Sequence, residues 1–233
     1  MAVVSWNCRG LGNLATVQVL ADLVQTKRPD ILYLMETKSN ADYCEDIRKK
    51  LDFHYCVSVD SVGLSGGLCL FWREQVHVEV RKMENNFIDC SVKMGDDEPS
   101  WRYIGYYGFP ERSRRCQSWD LIRNLARESN EPWLMMGDFN DVMFDNERKS
   151  SVPPSPWLLR GFQEAVWSSE LVNVSFEDYE WTWEWGRGTP RWIEAKLDRI
   201  LANEDWLTLF GGHQSMSLEG PTSDHLMLYT SPK

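Results

Sequence analysis

The sequence contains no C-x-x-C pair, no apolar run of the roughly eighteen residues a membrane span needs, no internal repeat and no low-complexity tract. The first absence argues against a zinc site built on paired thiolates, the second against a membrane protein, and the last two against a solenoid. The opening residues, Met1-Ala2-Val3-Val4-Ser5-Trp6, have neither the charged flank nor the long apolar region of a secretory signal. They are expected to form a first strand, and the protein is expected to be intracellular. Without a signal, the six cysteines (Cys8, Cys44, Cys56, Cys69, Cys90, Cys116) are expected to be reduced and mostly buried. Positive charge is also short, with 25 Lys plus Arg against 35 Asp plus Glu and a net charge of −10. An evenly spread negative field repels a phosphate backbone, so any contact with nucleic acid has to rest on local charge. Arg112, Arg114 and Arg115 form one basic knot, and Arg187, Arg191, Lys196 and Arg199 form another. Carboxylates gathered around a divalent ion would add to the acidic total while the ion reverses the local sign.

What is present is enough apolar material, 42% of 233 residues, to bury a sizeable core, and one domain over 1–233 is expected. Helical spacing of Leu14, Val17, Leu20, Leu23 and Val24 predicts a helix that stops before Pro29. Ile31-Leu32-Tyr33-Leu34-Met35 predicts a strand buried on both faces, followed by a helix over 40–51 capped by Asn40. Strands are expected at 54–59, 68–72, 76–80, 87–94 and 101–107, with a hairpin turn at 95–100. Helices at 114–128 and 156–170 flank a strand in Trp133-Leu134-Met135-Met136. Residues 193–201 and 226–230 supply late strands, and Trp181 and Trp183 are expected to pack in the core. Alternating strands and helices followed by hairpins point to an α/β fold, with two mixed sheets packed face to face beneath helices.

Seven polar residues stand at or just beyond the predicted strand ends: Asn7, Glu36, Tyr107, Asp138, Asn140, Asp224 and His225. Asp138 and Asn140 are two apart, so in extended backbone they project to one side. Each residue alone also fits a turn, a cap or a core role. Together they can converge on one rim, where Glu36 with Asp224 or Asn7 supplies hard oxygen ligands for a metal that works on phosphate. His225 suits a ligand, a base or a phosphate donor, and Asp198 suits the group that fixes its tautomer. A competing pattern, Gly10-Leu11-Gly12-Asn13-Leu14-Ala15 with Glu36 about twenty residues on, fits a dinucleotide fingerprint. That reading leaves Asp138 and Ser223-Asp224-His225 without a purpose, and Asn7-Cys8-Arg9 sets bulky polar groups ahead of the first glycine.

Seven short motifs in order carry a resemblance: Ser5-Trp6-Asn7-Cys8-Arg9-Gly10-Leu11, Met35-Glu36-Thr37-Lys38, Gly66-Gly67-Leu68, Tyr106-Tyr107-Gly108-Phe109-Pro110, Gly137-Asp138-Phe139-Asn140, Lys196-Leu197-Asp198-Arg199 and Ser223-Asp224-His225. They resemble the endonuclease/exonuclease/phosphatase superfamily, and within it the apurinic/apyrimidinic-type endonuclease domain of plant LINE (non-LTR) retrotransposons. The resemblance implies a four-layered α/β sandwich that hydrolyses phosphodiesters with Mg²⁺, or Mn²⁺ in its place. By motif match Glu36 holds the metal with Asn7 and Asp224 near it, Asp138 activates water, and Asn140 bonds the nucleophile or a phosphate oxygen. His225 held by Asp198 stabilises charge on phosphorus, and Tyr107 donates to a phosphate oxygen. Arg9 stands where repair enzymes of the superfamily carry an aspartate, which points it toward phosphate. Arg112, Arg187 and Trp185 are the further candidate substrate contacts, Trp185 by stacking on a base. The implied protein is a monomeric nuclease in the nucleus that nicks DNA and works beside the reverse transcriptase region of a longer polyprotein. Alternatives are a phosphatase of the same fold acting on a non-DNA ester, and a decayed element copy that only folds or binds.

Overall fold

The computed structural model describes residues 1–63, 65–95 and 97–232. In chain order its strands and helices are Val3–Asn7 (β1), Leu14–Lys27 (α1), Ile31–Met35 (β2), Ala41–Lys50 (α2), Tyr55–Val59 (β3), Leu68–Trp72 (β4), His77–Glu84 (β5), Phe87–Lys93 (β6), Trp101–Tyr107 (β7), Arg115–Arg127 (α3), Trp133–Asp138 (β8), Arg148–Lys149 (β9), Pro156–Ser168 (α4), Val172–Asn173 (β10), Trp183–Trp185 (β11), Ile193–Ala195 (β12), Asp198–Ala202 (β13), Glu204–Leu209 (α5), Gln214–Leu218 (β14) and Met227–Ser231 (β15). Two six-stranded sheets result, ordered β14-β15-β1-β2-β4-β3 and β10-β13-β8-β7-β6-β5. Each is mixed, with one parallel pair at its centre, β1 with β2 and β7 with β8, and antiparallel neighbours outward.

The inner faces of both sheets share one core that includes Val3, Tyr33, Met35, Leu70, Tyr103, Leu134, Met136 and Ile200. Alternate residues of the same strands pack outward. Trp6, Leu32, Leu34 and Phe71 meet α1 and α2, while Ile104, Tyr106, Met135 and Leu201 meet α3 and α4. This is the expected four-layered sandwich. It explains why its central strands read as continuous apolar runs, since both faces are covered. Asn13, Asn40 and Asn203 cap α1, α2 and α5 by accepting backbone N–H groups, and Pro156 opens α4.

Spacing between the sheets is fixed close to their rim by Tyr33 and Gly105. A Cβ on Gly105 would stand 2.6 Å from the Tyr33 ring, so glycine there is a requirement of sheet packing. Gly137, at φ +154°, lies so near the Tyr106 carbonyl oxygen that a Cβ would overlap it.

Several boundaries differ from expectation. The strand expected over 193–201 is broken, because the N–H groups of Leu197 and Asp198 both go to Thr182 Oγ1 while that of Lys196 goes to the Glu147 carbonyl. Strand β5 runs on to Glu84 through a bulge near Val80, although its outward residues are charged and carry no apolar signal. Helix α5 and strand β14 carry too few periodic apolar residues to be read from sequence, and they are held by tertiary partners instead. Asn203 accepts from the Trp133 backbone and its amide donates to the Glu131 carbonyl, and β14 pairs with β15. The turn expected at 95–100 includes Asp96, which lies outside the described residues; the strands on either side pair antiparallel as expected. The cysteines are free, four of them buried, Cys56 half-buried and Cys116 exposed. Among the described residues no helix is long and apolar enough to cross a membrane.

Candidate active site

Strand alternation delivers the polar ends to one place. In β8, Leu134 and Met136 face the inter-sheet core, so two residues on Asp138 must face the same way, at the rim. The register sets Asp138 opposite Tyr107 of β7 on one side and Asp198 of β13 on the other. In the facing sheet Asn7 ends β1 opposite Met35, and Glu36 is the next residue.

These ends bond across the gap. Asn7 Nδ2 donates to Asp138 Oδ2 at 3.0 Å and to Glu36 Oε1 at 3.2 Å, so one amide bridges the acids of the two sheets. Tyr107 Oη donates to the same Glu36 oxygen at 2.9 Å. His225 places Nε2 3.8 Å from Asp138 Oδ2 and 3.5 Å from Asn7 Nδ2, and its Nδ1 lies 2.9 Å from Asp198 Oδ2. Asp138, Asp198 and His225 thus offer ligand-type atoms within 4.8 Å of one another, all three residues buried. Asn140 gives its backbone N–H to Asp138 Oδ1 at 2.8 Å and its side-chain amide to the Gly108 carbonyl at 2.9 Å. Arg9 reaches Asp224 Oδ2 at 2.9 Å and comes within 3.9 Å of Glu36 Oε2.

A second ring of residues, to which the sequence reading assigned no part, holds these groups in place. Ser223 Oγ donates to the Asn7 carbonyl and accepts from His225 N–H, clamping Ser223-Asp224-His225 onto the end of β1. Trp6 Nε1 donates to the His225 carbonyl. Thr182 fixes Asp198 through its backbone N–H, and Trp183, expected in the core, is half-buried and donates to Asp224 Oδ2 at 3.1 Å. Trp181 is half-buried too, because this segment lies over a cavity and not under a sheet. Lys38 Nζ stands 3.8 Å from Glu36 Oε2. The nearest sequence signal was the position of Lys38 two residues past Glu36. Arg9, Glu36, Lys38 and Asn140 all sit in the left-handed region at φ 50 to 56°. Such backbone strain clusters where side-chain aim matters more than local comfort.

Charge follows geometry. Burial by itself would raise Glu36, but hydrogen bonds from Asn7 and Tyr107 and the charges of Arg9 and Lys38 outweigh it and hold the carboxyl below its usual range. Burial drives Asp138 above the usual carboxylate range against the pull of His225. Burial also works against charge on His225, yet the carboxylates of Asp198 and Asp138 at its two ring nitrogens overcome it and raise the imidazole. Tyr107 is raised by burial and then by the charges of Glu36 and Asp138, which keeps its hydroxyl a donor.

The basic knots are only partly surface features. Arg199 is fully buried against Glu147, and Lys196 is buried with its ammonium over Phe176, so neither is available to a polyanion. Arg112 lies over Trp157, and it is Arg114 that lines the 550 Å³ cavity beside Tyr107, together with Gly66, Gly67 and Asn86. Arg187 does line a 490 Å³ cavity with Trp183, Asp224 and His225, whose other charged walls are Asp178, Glu184, Glu194 and Glu219. Trp185, about half exposed, lines neither cavity. Asp141, in the loop that follows β8, is buried and accepts from Trp119 Nε1 at 2.9 Å beside Arg115.

Known proteins share this arrangement of strands. The chain is 15% identical to the endonuclease domain of TRAS1, a telomere-specific non-LTR retrotransposon, covering 100% of this chain and 98% of that one with a TM-score of 0.72. Against the AP endonuclease LMAP from Leishmania major the identity is 13% and the TM-score 0.77, over 100% and 87% of the two chains. Against the 3′ phosphatase NExo from Neisseria, bound to product DNA hairpin, the values are 19% and 0.75, over 100% and 99%. A comparison with curated protein sequences returns no match. The sequence pattern of one family covers residues 4–225, nearly all of the chain and every polar residue of the site described above. With that match and this fold, the chain belongs to the Endonuclease/Exonuclease/phosphatase family.

Proposed function

We propose that this protein is a divalent-metal-dependent phosphodiesterase, and specifically a DNA endonuclease that nicks one strand to leave a 3′-hydroxyl for priming reverse transcription of a plant LINE-type element. The observation that carries the reading is the Asn7 amide joined at once to Glu36 and Asp138, which sets a metal-type carboxylate and a water-activating carboxylate on opposite sides of one gap. Glu36 is kept ionised, and Asp224 Oδ1 is buried without a hydrogen-bond partner. Both are hard oxygen donors suited to Mg²⁺ or Mn²⁺, and Asn7 stands beside them. When bound, such an ion supplies charge neutralisation at the phosphate oxygens. Asp138 takes a proton from the attacking water, and Asn140 orients Asp138 through its backbone N–H and meets the nucleophile or a phosphate oxygen. His225, with Nδ1 fixed by Asp198, presents Nε2 to the developing charge on phosphorus, and Tyr107 donates to a phosphate oxygen. Arg9, Arg112, Arg187 and Trp185 contact the nucleic acid. We further propose one catalytic unit over residues 1–233, monomeric, acting in the nucleus and linked in function to a reverse transcriptase.

Supercoiled plasmid with Mg²⁺ is the direct test. Nicking by the wild type that vanishes in Glu36→Gln and Asp138→Asn supports the reading, and wild-type nicking no greater than in those variants refutes it. The five carboxylates around the His225 cavity favour a second reading, a phosphatase or phosphodiesterase of the same site acting on a smaller ester, because they repel an extended polyanion. Turnover on inositol phosphates compared with turnover on DNA separates the two.

A further inference from the structure

Arg9 lies between the two carboxylates that the proposed function gives to the metal. Its Nη1 is 2.9 Å from Asp224 Oδ2 and its Nε is 3.9 Å from Glu36 Oε2, with Lys38 Nζ 3.8 Å from the same Glu36 oxygen. One guanidinium therefore already bridges the two carboxylates, with the Lys38 ammonium beside Glu36. Asp224 takes two of its three polar contacts through Oδ2, from Arg9 and Trp183, while Oδ1 meets only the His225 ring at 3.9 Å and has no hydrogen-bond partner. The carboxylate is thus half engaged and half open. Arg9 is not enclosed: its side chain is 44% exposed. Its backbone, by contrast, is fixed at φ 52° with its N–H on Asn7 Oδ1, so the side chain is always rooted beside the gap.

We propose that the Arg9 guanidinium is a resident cation that a divalent ion must displace from Asp224 and Glu36, and that the displaced guanidinium then takes a substrate phosphate. This deepens the proposed function and rests on its assignment of the metal to Glu36 and Asp224. The consequence is coupling: metal binds weakly to the free protein and more tightly once a phosphate is present to receive Arg9, and by reciprocity phosphate binds better with metal in place. Arginine suits the exchange, because its weakly hydrated planar fork pairs with carboxylate and phosphate oxygens alike.

The test is Mn²⁺ binding followed by electron paramagnetic resonance, with no substrate and no turnover. Arg9→Gln removes the charge, and Arg9→Asn is a second variant whose side chain tolerates the left-handed backbone. Both are expected to bind Mn²⁺ about tenfold more tightly than the wild type, the scale of one nearby like charge removed from a divalent ion's site. In an Asp138→Asn background, which keeps a short DNA duplex intact, adding the duplex should raise Mn²⁺ affinity with Arg9 present and raise it less with Gln or Asn there. Equal or weaker Mn²⁺ binding by both variants overturns the exchange, as does duplex coupling that does not depend on Arg9. Failure of the underlying reading shows differently: Glu36→Gln would then bind Mn²⁺ as well as the wild type does.

Discussion

Thr182 Oγ1 accepts the backbone N–H of Asp198 at 2.8 Å, and with the β13–β8 register it holds Asp198 where its Oδ2 meets His225 Nδ1. The same oxygen takes the N–H of Leu197, and Thr182 is fully buried. Thr182→Val keeps the shape and removes the acceptor, leaving two N–H groups unpaired. It should lower unfolding free energy in urea by about 2 kcal/mol, and it should slow phosphodiester cleavage with little change in KM. Thr182→Ser should restore both.

His225 has Asp198 on one ring nitrogen and faces Asp138 with the other. His225→Ala is expected to reduce single-turnover cleavage by about a thousandfold, within the range of a lost acid–base or charge-stabilising group. Asp198→Asn, which leaves the imidazole in place but unanchored, should cost roughly 10- to 100-fold. Circular dichroism spectra matching the wild type would show that both losses are chemical.

One residue past Asp198, Arg199 is wholly enclosed and its partner is Glu147, 52 residues away in sequence. Glu147→Gln should destabilise the protein by about 3 kcal/mol, because it strands a buried charge. Burial opposes ionisation of Glu147, but Arg199 and the N–H groups of Met143 and Phe144 prevail and hold it below the ordinary value of 4.5. A depressed acid contributes stability above its unfolded value and loses it as pH falls through the folded one. The gap between wild type and Glu147→Gln in urea titrations should therefore be widest near neutral pH and should narrow as the pH falls below the ordinary value of 4.5.

Chelation offers another check. The proposed metal ligands stand at the rim of the sheets and not in either helical layer, so EDTA should abolish nicking while leaving the far-ultraviolet spectrum unchanged. Adding back Mg²⁺ or Mn²⁺ in excess should restore activity.

Much of this was legible in the sequence, for a definite reason. A strand covered on both faces is mostly apolar until it leaves the sandwich, so the first polar residue after Trp133-Leu134-Met135-Met136-Gly137 marks the rim, and the same holds for Glu36 after β2, while Asn7 ends a buried run interrupted only by the small Ser5. Ionic pairing was not legible. Nothing in Lys196-Leu197-Asp198-Arg199 says that Arg199 points inward to Glu147 while Asp198, one residue earlier, points at His225. That follows only once β13 is registered against β8. Trp183 departs from expectation for a related reason: its size suggests a core residue, whereas its indole N–H gives it a place beside Asp224 at a cavity wall. Asp141 shows the reverse, a residue with turn chemistry that is held inside by Trp119.

Tyr33 resting against Gly105 has a meaning beyond packing. Asn7 and Glu36 ride on one sheet and Tyr107 and Asp138 on the other, so every distance across the gap of the proposed site is also a measurement of how far apart the two sheets stand. The phenol ring is the gauge block of that measurement, set next to the rim and machined to the one clearance a glycine permits. A side chain at position 105 would touch no substrate and remove no reacting group, yet it would detune the whole assembly at once, in the manner of a lens mount shimmed out of focus.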